Sequence, residues 1–369
     1  MIPIKPSNTT NSTILATGKQ LANAIKETGK EYLLLNRGVN SVVNIKLDEV
    51  IQQINFNSND IQVYPGSNGK AELRNAINQE YFNNQANSKQ ILITGGGISG
   101  LDICFQNLAI REVVLPKFFW GTYAQLSRLR KLPFSCYPNY DYLLKQTKNL
   151  KGKAVIICDP GNPLGEKYDD AKLLQVIDSL NSNEVVVLFD SPYRRLFYDQ
   201  TDTFYQQLMA LEHIIIVESF SKSLGLSGQR IGFLYSNSDA FNAEAQLRLT
   251  YATNGINSFA QVLVTHLLTS ESGKKAVAEF KTITTTHIAK NIQFLSEKGL
   301  LADEYYRNTT PIGIFAVVNR SPEELFEHRV GSVGLDYFVK DSFAGIEKLS
   351  RVLVSYPHEK FVSFFETLL

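Results

Sequence analysis

Runs of mostly apolar residues of strand length recur along the middle of this chain, at 91–94, 112–115, 154–158, 185–189, 214–217 and 231–235. Runs without an alternating polar face suit strands that are covered on both sides, where every side chain meets a packed layer. The stretches between the first five runs are long enough for crossovers and carry helical patterns. That alternation predicts βαβ units in a largely parallel sheet. The last gap, 218–230, is too short for an ordinary crossover, so one strand is expected to run antiparallel. Ligands of such sheets bind beyond the carboxyl ends of the strands.

The flanks follow other periods. Residues 1–12 read as a loose arm, and Ile14, Leu15, Leu21, Ala24 and Ile25 give 13–30 an apolar helical face. Residues 32–40 read as a short strand broken by Gly38, and 64–74 as a turn that opens a helix. Helical spacing returns over 237–305, followed by apolar runs at 311–318 and 349–355, the second with Arg351 near its start.

Composition narrows the class without naming a function. A chain of 369 residues, 44% hydrophobic and 20% charged, has room for about two domains and a sizeable core. A net charge of +1 gives no bulk attraction to nucleic acid or an anionic membrane, so neither is expected as a partner. Cys104, Cys136 and Cys158 form no C-x-x-C pair, and the five histidines show no metal spacing; no metal site is expected. The first residues lack the apolar core of a signal peptide, and no apolar run approaches the ~20 residues of a membrane span. The cytoplasm is the expected compartment.

The candidate chemistry lies where the runs end. After 214–217 comes S-F-S-K-S-L-G-L-S-G-Q-R-I-G over 219–232, which presents the Lys222 amine among hydroxyls with Arg230 close behind. A lysine that acts as a nucleophile needs desolvation or a nearby cation, and hydroxyls with a guanidinium suit an anion. The run at 185–189 ends on Asp190, and a carboxylate there is costly unless it meets a cation, whether a ligand or Arg194 or Arg195. Gly95, Gly96 and Gly97 precede a probable helix, an arrangement that lets backbone N–H groups approach a phosphate. In 116–123, Trp120 is the aromatic ring chosen to stack on a flat heterocycle, with Phe118 as its rival.

The 219–232 stretch closely resembles the cofactor-lysine signature of class I/II aminotransferases, the fold-type I pyridoxal-phosphate enzymes. Further motifs follow in that family's order: Tyr64 to Arg74, Asp159-Pro160-Gly161-Asn162-Pro163, Asp190-Ser191-Pro192-Tyr193, and Arg351 in the last β-like run. Asp159 stands where the family has asparagine and Leu164 where it has threonine. The family's Pro-Gly-x-x-Phe-Gly turn is replaced by 331–336.

The resemblance implies an α/β fold whose large domain holds a mostly parallel seven-stranded sheet beside a smaller α/β domain. The boundaries expected are 1–48 for the arm and part of the small domain, 49–260 for the large domain, and 261–369 for the C-terminal small domain. It also implies pyridoxal 5'-phosphate as cofactor and transfer of an amino group between an L-amino acid and a 2-oxo acid. Lys222 would carry the cofactor through its amine and shuttle the proton. Asp190 would face the ring nitrogen, and Tyr193 and Asn162 the phenolic oxygen. Gly96, Gly97, Ile98, Ser219, Ser221 and Arg230 would surround the phosphate. Arg351, with Gly38 and Asn162, would meet the substrate. A homodimer is implied, with Tyr64 reaching the neighbouring subunit's phosphate. Elimination at a C–S or other β-bond, decarboxylation and cyclisation like that of aminocyclopropane-carboxylate synthase use the same scaffold, as does a non-catalytic amino-acid sensor. Arg248 is a candidate second arginine for a dicarboxylate side chain.

Overall fold

The computed structural model describes residues 2–369. Helix α1 (Thr13–Thr28) closes on Gly29, whose left-handed φ of 65° lets its N–H bond back to Ile25. Further helices pack around the main sheet, among them α2 (Ala71–Phe82), α3 (Gly97–Asn107), α4 (Gly121–Leu129), α5 (Asp170–Ser182) and α6 (Asp239–Thr253). The C-terminal half adds α7 (Ser258–Thr269) and the long α8 (Glu271–Glu297).

Seven strands form the main sheet: β1 (Ile91–Thr94), β2 (Val113–Pro116), β3 (Phe134–Tyr137), β4 (Ala154–Cys158), β5 (Val186–Asp190), β6 (Ile214–Ser219) and β7 (Gly232–Tyr235). Their order is β1-β7-β6-β5-β4-β2-β3. Every pair is parallel except those made by β7, which runs against both β6 and β1. Between β6 and β7 lie only single-turn helices, too little chain to cross the sheet and return in parallel. The antiparallel strand expected from the short gap is therefore β7.

The sheet centre is dry. Val187, Leu188, Phe189, Ile216 and Val217 are wholly buried, and each such side chain contributes about 1.5–3 kcal/mol over an exposed one. The strand missed by the apolar pattern is β3, an edge strand whose Phe134-Ser135-Cys136-Tyr137 is only partly buried and never forms an unbroken run.

A second sheet holds β8 (Phe315–Val318), β9 (Val333–Gly334) and β10 (Ser350–Leu353), in the order β8-β10-β9 and antiparallel throughout. Leu33–Leu34 pairs in parallel with Val330–Gly331, so the segment after α1 joins the C-terminal part of the chain. The strand expected over 32–40 is confined to those two residues. Past Leu35, the carbonyls of Asn36 and Gly38 accept from the Arg351 and Lys222 side chains instead of a neighbouring strand. Among the described residues no helix is long and apolar enough to cross a membrane, and no cluster of ligating side chains could hold a metal ion.

Candidate active site

Strand register decides where the chemistry gathers. Cys158 pairs with Asp190, Asp190 with Val217, Ser219 with Gly232, and Gly232 with Thr94. The carboxyl ends of β1, β4, β5 and β6 therefore reach one level, where β7 begins. The loops beyond them enclose a cavity of about 340 Å³. Its walls bring together Gly97, Ile98, Trp120, Asn162, Asp190, Tyr193, Ser219, Ser221, Lys222 and Arg230, with Gly38 and Arg351 arriving from the second sheet's side.

Lys222 follows β6 on a single helical turn and is half-buried; its Nζ donates to the Gly38 carbonyl. Burial, with the Arg230 and Arg351 cations nearby, lowers its amine from the usual lysine value to about 8. Asp190, at the end of β5, is 3% exposed and accepts a hydrogen bond from the Tyr123 hydroxyl. Burial pushes its carboxyl up to about 7, and the Tyr123 bond only partly opposes that. Neither Arg194 nor Arg195 pairs with Asp190. Arg194 forks onto Asp170 and Asp202, while Arg195 lies over the Tyr81 and Tyr205 rings and donates to the Glu80 carbonyl.

One side of the cavity is built for an anion. Ser219 Oγ and Ser221 Oγ lie 3.0 Å apart beside the first turn of α3, whose N–H groups have no intrahelical partner. Arg230 projects from a left-handed backbone with φ 51°, uncommon for a residue with a side chain, and is held by the Ser227 carbonyl at 2.9 Å. Gly96 has φ 89°, and a β-carbon there would stand 2.9 Å from Arg230 Nη2. Glycine at 96 is what lets that loop lie against the guanidinium. Gly96 thus backs the cavity wall, while Gly97 and Ile98 face it.

Arg351, on β10, is 1% exposed. Its Nη1 donates to Asn162 Oδ1 at 3.2 Å, its Nη2 to the Asn36 carbonyl at 2.5 Å, and its Nε has no partner. The guanidinium lies 4.1 Å from the Phe315 ring centre and 4.7 Å from that of Phe338. Among the described residues no carboxylate pairs with it, and burial lowers it to about 10. A buried cation without a counter-ion is a place for an anionic ligand. Asn162 also donates through Nδ2 to the Tyr193 hydroxyl at 3.4 Å, so one amide joins both residues.

Trp120 faces the cavity, whereas Phe118 packs edge-on against Tyr305 and Phe343 in a separate core, which removes the rival ring. Asp159 is buried against Lys167 at 3.0 Å and accepts from the Tyr168 N–H, a local pairing that leaves Asn162 as the loop's cavity-facing group. Tyr64 lies outside this chain's cavity; it is 83% exposed and borders another groove with Val63 and Phe259. Arg248 is also outside, paired with Glu244 at 3.2 Å and bonded to Asn107 Oδ1. The second-arginine role considered for it does not fit this chain's own site.

Several cavity residues escaped the sequence reading as contributors: Ile14, Leu15, Arg37, Tyr123, Cys158 and Phe315. Tyr123 carried a usable signal, since its place three residues after Trp120 puts both on one face of a helical turn. In sequence, Ile14 and Leu15 show only as part of an apolar helix face.

The model for aminotransferase class I and II matches residues 30–338. An aspartate aminotransferase from Pyrococcus horikoshii is 27% identical over 233 residues, 59% of this chain and 59% of that protein. A histidinol-phosphate aminotransferase from Helicobacter hepaticus is 25% identical over 58% of this chain and 61% of its own length. The matched stretch thus spans less than two thirds of each of these relatives. The solved structure of a Thermus thermophilus aspartate aminotransferase with maleate superposes along the full length of both chains, with a TM-score of 0.82 at 18% identity, and supports the fold. On the family match, which covers most of its length, this chain belongs to the class I and II aminotransferases.

Proposed function

We propose that the protein is a pyridoxal-phosphate-dependent aminotransferase that moves an amino group between an L-amino acid and a 2-oxo acid. The observation that carries this reading is Lys222, a half-buried amine lowered to about 8, in one cavity with the buried carboxyl of Asp190. The residues present fit the cofactor. Ser219, Ser221, Arg230 and the open N–H groups at Gly97 and Ile98 would hold its phosphate, with Gly96 leaving room for the Arg230 fork. Asp190, buried without a cationic partner, would face the ring nitrogen. Tyr193 and Asn162 would reach the phenolic oxygen, and Trp120 would cover the ring. When bound, pyridoxal phosphate supplies an electron sink next to the substrate's α-carbon.

The chain's own residues do the rest. Arg351 binds the α-carboxylate with a guanidinium whose place is set by Asn36, Asn162 and Phe315, which orients the α-carbon toward Lys222. Lys222 Nζ is neutral over much of its time near pH 8, so it can accept the α-proton and return it. Tyr123 holds the Asp190 carboxylate in place through its hydroxyl. Tyr64 has no role in its own chain's cavity. Its exposure suits a homodimer in which it completes the partner's phosphate site.

The test loads the purified protein with the cofactor, supplies a panel of nitrogen-labelled L-amino acids with several 2-oxo acids, and follows the label by mass spectrometry. Label passing intact from donor to acceptor is the expected outcome. Release of ammonia or carbon dioxide without amino transfer would overturn it in favour of elimination or decarboxylation.

A further inference from the structure

We infer that Arg37 reads the far end of the substrate, and that the substrate's side chain ends in a second acid group, a carboxylate or a phosphate. The inference rests on the aminotransferase reading and adds a specificity residue to it. The cavity is lined by the cations Arg37, Lys222, Arg230 and Arg351 and by the single acid Asp190. On that reading the phosphate answers Arg230, the α-carboxylate answers Arg351, and Lys222 bears the amine chemistry. Arg37 remains. It forms no hydrogen bond or ion pair among the described residues, while the other candidate, Arg248, is engaged by Glu244 and Asn107 away from the cavity.

Arg37 is exposed, and its guanidinium lies along α1, where a β-carbon at Gly18 would stand at ordinary contact distance, 3.4 Å, from both Arg37 Nη2 and Asn36 Nδ2. The backbone that carries Arg37 is tied to the α-carboxylate site. Arg351 Nη2 holds the carbonyl of Asn36, the residue just before Arg37, and Asn36 Nδ2 holds the Ile14 carbonyl at 3.1 Å. One guanidinium is thus at the floor and one at the rim, with Ile14 and Leu15 beside the rim to cover intervening methylenes. Arg37 also borders a neighbouring groove of about 400 Å³ that includes Gly18, Ala22 and Ile25, which leaves space for the larger head of a phosphate.

The experiment measures binding of amine-free acids to the cofactor-loaded protein by calorimetry: glutarate, 3-phosphopropionate and hexanoate. Both wild type and Arg37→Met are measured, with Arg37→Lys to separate charge from shape. Wild type is expected to prefer one of the two ligands bearing a second acid group to hexanoate, and which one identifies the acid group. Arg37→Met should weaken that ligand by about tenfold or more, the range for a charge-assisted hydrogen bond, and hexanoate by less than twofold. Arg37→Lys should fall between. Equal binding of all three acids by wild type, or an equal loss for all three in Arg37→Met, would overturn the inference. Because no turnover is needed, a protein that binds these acids selectively but transfers no amine would sink the aminotransferase reading and leave the assignment of Arg37 standing.

Discussion

Arg351 Nη1 donates to Asn162 Oδ1 across 3.2 Å, joining the small antiparallel sheet to the loop that follows β4 of the large one. The guanidinium proposed to receive the α-carboxylate is thus held by a neutral amide. A neutral partner fixes the position without neutralising the charge.

That relationship predicts the effect of Asn162→Asp. A carboxylate at 162 would form an internal ion pair with Arg351 and compete with the substrate for it. KM for the preferred amino acid should rise about tenfold or more, the cost of losing a charge-assisted bond, while the protein stays folded. Steady-state kinetics check this. An unchanged KM would place the α-carboxylate elsewhere.

Asp190 makes a prediction about stability. Its folded value, about 7, lies above the ordinary 3.8. Below about pH 4 the carboxyl is protonated in both folded and unfolded chains and carries no penalty. As pH rises to 7 the unfolded chain ionises first, and stability is lost. Asp190→Asn should therefore stabilise the cofactor-free protein at pH 8 by on the order of 2–4 kcal/mol, and the gain should vanish toward pH 4. Denaturant titrations at the two pH values check it; a gain independent of pH would show that the ionised carboxyl is not the cause.

If Lys222 holds pyridoxal phosphate as proposed, its amine sets the pH of cofactor capture. Only the neutral amine attacks an aldehyde, and burial with two neighbouring arginines puts the midpoint at about 8. The capture rate, followed by absorbance after rapid mixing, should climb with pH and level off by about pH 9. A midpoint near the unperturbed lysine value of ~10.4 would contradict the depressed amine.

The proposed role of Tyr64 requires that two chains share their sites. Lys222→Ala and Tyr64→Ala proteins should each lose activity, the first fully and the second by weakened cofactor retention. Mixed and allowed to exchange subunits, they should form hybrids in which one site carries both defects and the other carries neither. Activity above the sum of the separate proteins is expected. Strictly additive activity would deny the shared site.

Much of the cofactor side of the site was legible because it is built from consecutive residues at strand ends. The run 214–217 and the hydroxyls around Lys222, like the run that ends on Asp190, carry strand and chemistry in one stretch, and the parallel register then brings such stretches level. The substrate side is assembled from distant segments. Arg351 meets Asn36 and Asn162 through folds of the chain that no local pattern encodes, and only the fold brings the exposed Arg37 to the cavity rim. Strand β3 is unmarked for a different reason: at the sheet edge its first three residues are only partly buried and Ser135 interrupts it, so no apolar run forms.

The central claim is that Lys222 carries the cofactor. It is tested most directly by borohydride reduction of the pyridoxal-phosphate-loaded protein, followed by proteolysis and peptide mass mapping. A single pyridoxyl-phosphate adduct is expected, on the peptide containing Lys222. An adduct on other lysines with Lys222 unmodified, or none at all, would contradict it.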